Sequence, residues 1–525
     1  MQTRISRWQL ALISIGSMVG SGWLFSPYYG LQSAGGAVLL AWLLAAASSL
    51  VVSLSFARMC GAFPLVGGNY RLLGVTHPRS TANAFLVLGW LSYVVFLPLE
   101  AQSVVQYLAF WWPALVRRVG AGEVELSWSG LGVGVLLLVG ITWFNTLHIT
   151  RVARANAWVS AWKVAVPVLV VLVVIVAHGR REHFLSYMHP GALDLEAAMT
   201  AVIGSGLAFA FAGFQNGLIL ANQAEDPRRS LPFSLYLPLL AGLLLYLLLS
   251  SSFMATMSGG GGVRIVGEAA PLLGLVSALG LGLLLPLLLA DAVLAPMGTA
   301  NVFVAVTARI LYACGRELRP RGWLTRLNAH GSPVAALWVN AGVGLLFLLP
   351  FPTWKQLVGL LSSMVVFAYL AGPASLLVLA RSGGAAGSVP QPLRTRRAAA
   401  VGLAGFLCGS WLVYWGGRYN LAWLLLALLL ALAGHGWLRA GAAAALRDLR
   451  DNAYLLGFVA ALCAVAWLRH LEWLGFPADN LVVGGLALLA CAGFLRGRLG
   501  DAQIEGRVLT LAVEQRNDPM ATARG

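Results

Sequence analysis

Lysine is almost missing from this chain of 525 residues, because two lysines stand against 33 arginines. Charge of either sign is scarce, at 10% of residues, where a soluble domain carries about 25%. Long polar stretches are scarce too, and the longest is the C-terminal tail from about Arg498. No separate soluble domain is therefore expected. Cys60, Cys314, Cys408, Cys463 and Cys491 are scattered, with no CxxC pair and no histidine cluster at metal-ligand spacing. They read as helix-packing residues, and no metal or other cofactor is expected. A Walker-type phosphate loop, an HExxH pair and a GxSxG elbow are all missing, so an ATP-driven pump or a membrane protease has no support.

What fills the chain is apolar sequence: 59% of residues are hydrophobic, and the mean hydropathy is +0.80. Apolar runs of about 18 or more residues follow one another, each able to cross ~30 Å of hydrocarbon as a helix. The runs are continuous and do not alternate, which excludes barrel strands. Fourteen segments are expected near Trp8–Ser33, Ala37–Cys60, Ala82–Trp112, Leu131–Leu147, Ala157–Ala177, Met199–Ala221 and Phe233–Met257. The others lie near Gly280–Cys314, Val334–Pro350, Trp354–Ala380, Ala398–Gly416, Leu421–Trp437, Ala453–Leu468 and Leu481–Leu495. The first has no small-residue cleavage site and is expected to remain a helix.

Charge placement sets the expected topology. With the N-terminus cytoplasmic, outside loops hold only Arg117, Arg118, Arg180, Arg181, Arg264, Lys355, Arg418 and Arg469. Every other cation except Lys163 falls inside, so both termini should be cytoplasmic in a multi-pass protein of the cell membrane. The net charge of +16 is then a topology signal for the lipid bilayer and calls for no nucleic-acid partner.

Two segments carry clustered glycines. The first reads ISIGSMVGSGWLFSPYYG, with Gly16, Gly20 and Gly22, and the sixth reads VIGSGLAFAFAGFQNGLIL, with Gly204, Gly206, Gly213 and Gly217. Glycine lets the backbone leave helical geometry, and unwinding at bilayer depth is tolerated only where it is buried in protein or lines a cavity. Interruptions five helices apart point to two inverted five-helix repeats with a site at their interface. The free amides of Gly20-Ser21-Gly22, at the start of a half-helix, suit a carboxylate.

Three ionisable residues lie within apolar helices: Glu100, Lys163 and Asp291. Arginine is effectively always protonated, whereas a desolvated lysine can lose its proton near neutral pH. The choice of lysine at position 163, in a chain that otherwise uses arginine, reads as a proton carrier or switchable charge. The alternative is a side chain that snorkels to the interface. Glu100 lies in PLEAQSVVQY beside Gln102 and Gln106; it is a weaker proton candidate, or interhelical glue. Asp291 is the other weaker candidate, or else meets an extracellular arginine.

These residues carry a family resemblance. GSMVGSGWLF resembles the unwound first helix of the amino acid–polyamine–organocation superfamily of permeases. FPLVGGNY (Phe63 to Tyr70) resembles its first cytoplasmic loop. FAFAGFQ with AEDPRRSLP resembles its sixth helix and the loop after it. Ala295 to Leu318 resembles its helix 8, and Gly331-Ser332-Pro333-Val334 its entry to helix 9. The tryptophan of GSGWLF, the run PLEAQSVVQY and the additional C-terminal helices are most similar to the bacterial branch of aspartate:proton symporters.

The resemblance implies an all-α polytopic membrane protein of the leucine-transporter type, with broken helices 1 and 6. Its core would run from 8 to 380 as two inverted repeats, about 8–177 and 199–380. Four additional helices would occupy 398–495, and a cytoplasmic tail 498–525. It implies that Gly20, Ser21 and Gly22 hold a substrate carboxylate, and that carbonyls near Ser17, Met18, Phe209 and Phe211 hold the ammonium. Phe209 matches an occluding aromatic. Asn156-x6-Lys163 matches the lysine that replaces a sodium ion between helices 1 and 8 in proton-coupled members. Gln215 departs from the family, some members of which carry glutamate there. The expected function is amino acid import by proton symport. An exchanger without proton coupling is the alternative, and a membrane-embedded sensor or enzyme a more distant one.

Overall fold

The computed structural model describes residues 5–63, 73–119, 123–147, 149–189, 191–257, 269–318, 322–350, 353–382 and 390–516. The loop motif after Phe63 lies outside the described residues, as do Arg4, Arg71, Arg264, Arg319, Arg321, Arg524 and the tail from 517. The side chain of Asn156 is also outside the description.

Each of the fourteen expected segments is helical, and they are numbered here as spans 1 to 14. Span 1 is Arg7–Met18 followed by Gly22–Ala34, span 2 Val38–Ala62, span 3 Arg79–Leu108, span 4 Trp128–Phe144 and span 5 Ile149–His178. Span 6 is Leu195–Gly204, then Leu207–Phe211, then 3-10 turns over Phe214–Gln223. Span 7 is Pro227–Thr256, span 8 Leu285–Leu318, span 9 Val334–Leu348, and span 10 Trp354–Tyr369 with Ala371–Arg381. Spans 11 to 14 are Arg396–Tyr414, Arg418–Ala440, Ala453–His470 and Ala478–Arg496. Ten described helices are long and apolar enough to cross a membrane, or eleven with the bent pair of span 6 counted as one. Spans 4 and 9 are shorter apolar helices.

Helix starts follow local chemistry. Side chains of Ser6, Ser127, Asp194, Asp226, Thr353 and Thr395 accept hydrogen bonds from the first-turn amides of spans 1, 4, 6, 7, 10 and 11. Those amides have no intrahelical acceptor. Some boundaries differ from the expected ones. Span 8 begins at Leu285 and not Gly280, because Gly280 (φ +71°) follows a separate helix, Pro271–Ala278. Span 10 divides at Leu370. The tail forms a helix over Asp501–Arg516, and a small antiparallel hairpin pairs β1 (Val116–Val119) with β2 (Glu123–Leu126) after span 3.

Packing repeats itself at intervals of five. Span 2 packs on span 7, span 3 on span 8, and both halves of span 1 on span 6. Spans 3 and 10 are the most enclosed, which puts residues of both next to the breaks. Spans 11 and 12 lie against spans 2, 3 and 10, while spans 13 and 14 pack mainly on spans 11 and 12 and on each other.

Candidate functional site

Span 1 leaves helical geometry after Met18. Val19 takes φ −82° and ψ 89°, and helix resumes at Gly22. Span 6 breaks at Ser205-Gly206, where Gly206 is left-handed (φ +76°), and again at Gly213 (φ +110°); its two apolar parts meet at 59°. The broken backbones touch. A Cβ on Gly22 would stand 3.0 Å from the Ala210 Cα, and one on Gly213 2.9 Å from the Ser17 carbonyl. Glycine is required here for close approach as well as for φ. The Ser26 hydroxyl donates to the Gly206 carbonyl at 3.0 Å, tying the second half of span 1 to the break of span 6.

Two buried ionisable side chains engage the span 1 break, and they do so close together: a Cβ on Gly20 would stand 2.5 Å from Glu100 Oε1 and 3.0 Å from Thr299 Oγ1. The Ser21 amide donates to Glu100 Oε2 at 2.9 Å. Lys163 Nζ donates to the Thr299 hydroxyl at 2.8 Å, and that hydroxyl donates to the Val19 carbonyl at 3.0 Å. Glu100, Lys163 and Thr299 are at most 1% exposed. Lys163 therefore does not snorkel. It reaches span 1 through Thr299 of span 8, not by direct bonds to span 1 carbonyls. Helix close-packing makes this possible: a Cβ on Gly298 would meet Val159 of span 5 at 2.5 Å.

Asp291, on span 8, is fully buried within electrostatic range of Lys163. The Trp162 indole lies beside it without completing a hydrogen bond. Neither carboxylate oxygen has a hydrogen-bond partner among the described residues, and neither does Glu100 Oε1. No described arginine pairs with Asp291, so the extracellular-arginine alternative finds no support among the described residues. Lys163, Glu100 and Asp291 form one electrostatic group, with both acids in range of Lys163.

The remaining sequence candidates divide. Phe209 is 3% exposed, with its ring edge 3.3 Å from where a Gly22 Cβ would stand, and it packs on Phe96 and Trp354. The Met18 carbonyl accepts from the Gly20 amide at 3.1 Å, and the Phe209 carbonyl from Ala212 at 2.8 Å. The Ser17 hydroxyl back-bonds to Ile13 at 2.7 Å. The Phe211 ring sits with Trp42 and Tyr246, in the interface of spans 2, 6 and 7. Gln215 donates to the Tyr93 hydroxyl, which donates to Asn216 Oδ1 at 3.0 Å. This network braces the second half of span 6 against span 3.

Four residues that sequence reasoning did not single out complete the site. Trp354 Nε1 donates to the Ser21 hydroxyl at 3.1 Å, Thr299 links Lys163 to span 1, and Phe96 stacks on Phe303 with ring centroids 3.7 Å apart. Thr299 and Phe303 stood inside the Ala295–Leu318 motif; Trp354 and Phe96 gave no signal beyond aromaticity. Among the described residues no group of three or more His, Cys, Asp or Glu could hold a metal ion.

Comparison with known proteins agrees with this architecture. The family described as amino acid permease matches residues 5–446. The aspartate-proton symporter of Bacillus subtilis (strain 168) is 27% identical over 430 residues, covering 81% of each chain. The glutamate/serine transporter AimA of the same organism is 27% identical over 424 residues, 78% of this chain and 77% of its own. The branched-chain amino acid permease BcaP, also from that organism, is 23% identical over 382 residues, 70% and 79% of the two chains.

Proposed function

We propose that this chain, which belongs to the amino acid permease family, imports an amino acid together with a proton across the cell membrane. The observation that carries the reading is the double attachment at the span 1 break, with Glu100 on the Ser21 amide and Lys163, through Thr299, on the Val19 carbonyl. A substrate carboxylate needs the Gly20-Ser21-Gly22 amides, and Glu100 already holds one of them. Two anions on one donor repel, so a substrate binds best when Glu100 is protonated or has withdrawn. Substrate and proton then bias the same element, as linkage demands of a symporter.

The charge balance of the buried group supports one proton. With all three side chains ionised, Lys163, Glu100 and Asp291 carry one net negative charge in a low-dielectric interior. A single added proton makes the group neutral, and that proton belongs to the group rather than to one residue. With the cytoplasm negative, an entering proton contributes about 2.3 kcal/mol per 100 mV towards uptake. Lys163 then serves as the switchable brace between spans 1, 5 and 8. The backbone at Ser17, Met18, Phe209 and Phe211 would receive the ammonium, and Phe209 would close over the substrate.

The reading includes a core of two inverted repeats, about 8–177 and 199–380, with both termini cytoplasmic. The packing of spans 1, 2 and 3 on spans 6, 7 and 8 supports it. The relatives named as an aspartate-proton symporter and as a glutamate/serine transporter support an amino acid as cargo, and the first of them supports the coupling. The test is uptake into proteoliposomes under an imposed pH gradient, beside substrate counterflow without one. Accumulation that follows the gradient supports symport. Counterflow with no proton movement would replace symport by exchange.

A further inference from the structure

We infer that the cargo side chain is neutral and apolar or aromatic, and that acidic amino acids are poor substrates. The inference rests on the transporter reading above and narrows it.

Rings from four spans adjoin the broken backbones, two of them directly and two in the layer behind. Phe209 of span 6 reaches the Gly22 position, and Trp354 of span 10 donates to Ser21. Phe96 of span 3 packs on Phe209 with centroids 5.3 Å apart, and Phe303 of span 8 stacks on Phe96. All four rings are at most 3% exposed. A side chain entering next to the Ser21 amide meets ring faces and edges, which reward apolar and aromatic groups.

An acidic side chain would need a cation or several hydrogen-bond donors at the same place. Among the described residues Lys163 is the only buried lysine or arginine. Its ammonium is bonded to Thr299 and already faces Glu100 and Asp291. A third carboxylate would raise the negative charge of that group without adding a partner. Cationic cargo is disfavoured for a different reason. In the reading above a substrate binds best once Glu100 is protonated or has withdrawn, so the carboxylate at the break gives a cationic side chain no counter-ion.

The test is competition against labelled alanine uptake by the purified full chain in proteoliposomes. Leucine, phenylalanine and methionine should compete. Aspartate, glutamate, lysine and arginine should need at least about 10-fold higher concentrations for half inhibition. Phe96→Leu and Phe303→Leu, each measured for retained alanine uptake, should shift the phenylalanine-to-leucine preference several-fold. Aspartate, glutamate, lysine or arginine competing as well as leucine would overturn the side-chain assignment while leaving the transporter reading intact. Unchanged preferences in variants that still transport alanine would overturn the role of the rings. Uptake of no amino acid at all, from the panel tested directly, would overturn the transporter reading and this inference with it.

Discussion

The transport core and the C-terminal spans both bury charge, and they handle it in opposite ways. In the C-terminal region Asp479 is fully buried and satisfied on both oxygens. Oδ2 accepts from Arg469 at 2.6 Å and from the Tyr414 hydroxyl at 2.8 Å, and Oδ1 accepts from the Asn480 amide at 2.7 Å. Arg469 also pairs with Glu196 at the start of span 6 and lies over Trp415. In the core, Glu100 has one oxygen without a hydrogen-bond partner, Asp291 has two, and Lys163 bonds a neutral hydroxyl. Complete pairing fixes one arrangement. Incomplete pairing leaves groups that gain or lose a proton at little structural cost. The first pattern is structural; the second is the one that the proposed proton coupling requires.

This contrast can be broken experimentally, and Lys163→Arg offers the largest expected effect. The substitution keeps a charge but removes the ability to lose it. Uptake driven by a pH gradient should fall to background, about 100-fold or more, in protein that still purifies as a folded monodisperse species. Lys163→Ala should retain some counterflow. Wild-type-like accumulation by Lys163→Arg would end the proton-carrier assignment and move it to Glu100 or Asp291.

Gly22→Val should come next in size. The added side chain meets the Ala210 backbone at 3.0 Å, so substrate binding measured by ligand-induced thermal shift should vanish while expression persists. Binding as tight as the parent's would place the site elsewhere.

Asp479→Ala tests the other half of the comparison. It leaves the Tyr414 hydroxyl without its acceptor and Arg469 with Glu196 as its remaining acid, and losing buried hydrogen bonds to a charged group costs about 1–3 kcal/mol. Thermal stability in detergent should drop clearly, with transport per folded molecule retained. Asp291→Asn should do the reverse, leaving stability unchanged or raised because two unpartnered carboxylate oxygens are neutralised, while the pH profile of uptake changes. If both acids behaved alike in the two assays, the distinction between them would fail.

The smallest expected effect lies at the seam between the regions. Outside the spans, His77 contacts the Phe494 carbonyl at 3.0 Å, and burial pushes its imidazole down to about 4. The folded state therefore favours neutral histidine. Its contribution to stability is complete above about 6.5, the ordinary histidine value, and is lost progressively as pH falls towards about 4. Hydrogen exchange at the neighbouring Leu499 amide, which donates to Thr76 at 2.8 Å, should quicken between pH 7 and pH 5 beyond its intrinsic pH trend. In His77→Gln that additional change should disappear.

The sequence was most legible where the signal is local. Apolar length alone located the fourteen spans, because a bilayer demands about 20 apolar residues whatever follows. Glycine clusters located the breaks in spans 1 and 6, since backbone freedom is a property of the residue itself. Lys163 stood out because arginine is used nearly everywhere else. The break in span 10 was not anticipated, although Gly372 and Pro373 follow Leu370 and a proline at 373 has no amide to donate to the Tyr369 carbonyl.

Contacts between distant residues had no such signature. Glu100 looked like one polar residue among several in span 3, yet it lies on the Ser21 amide, 79 positions away in the chain. Thr299 bonds a carbonyl 280 residues before it, and Trp354 a hydroxyl 333 residues before it. The sequence by itself determined which helices form, where two of them break and which ionisable residues lie within apolar helices, all consequences of local chemistry. Only the tertiary structure decided which of those groups meet at the break, which hydroxyl links Lys163 to it and which rings adjoin it. Hydrogen-bond partners and ring contacts depend on how spans 1, 3, 5, 6, 8 and 10 pack in three dimensions, which no single segment encodes.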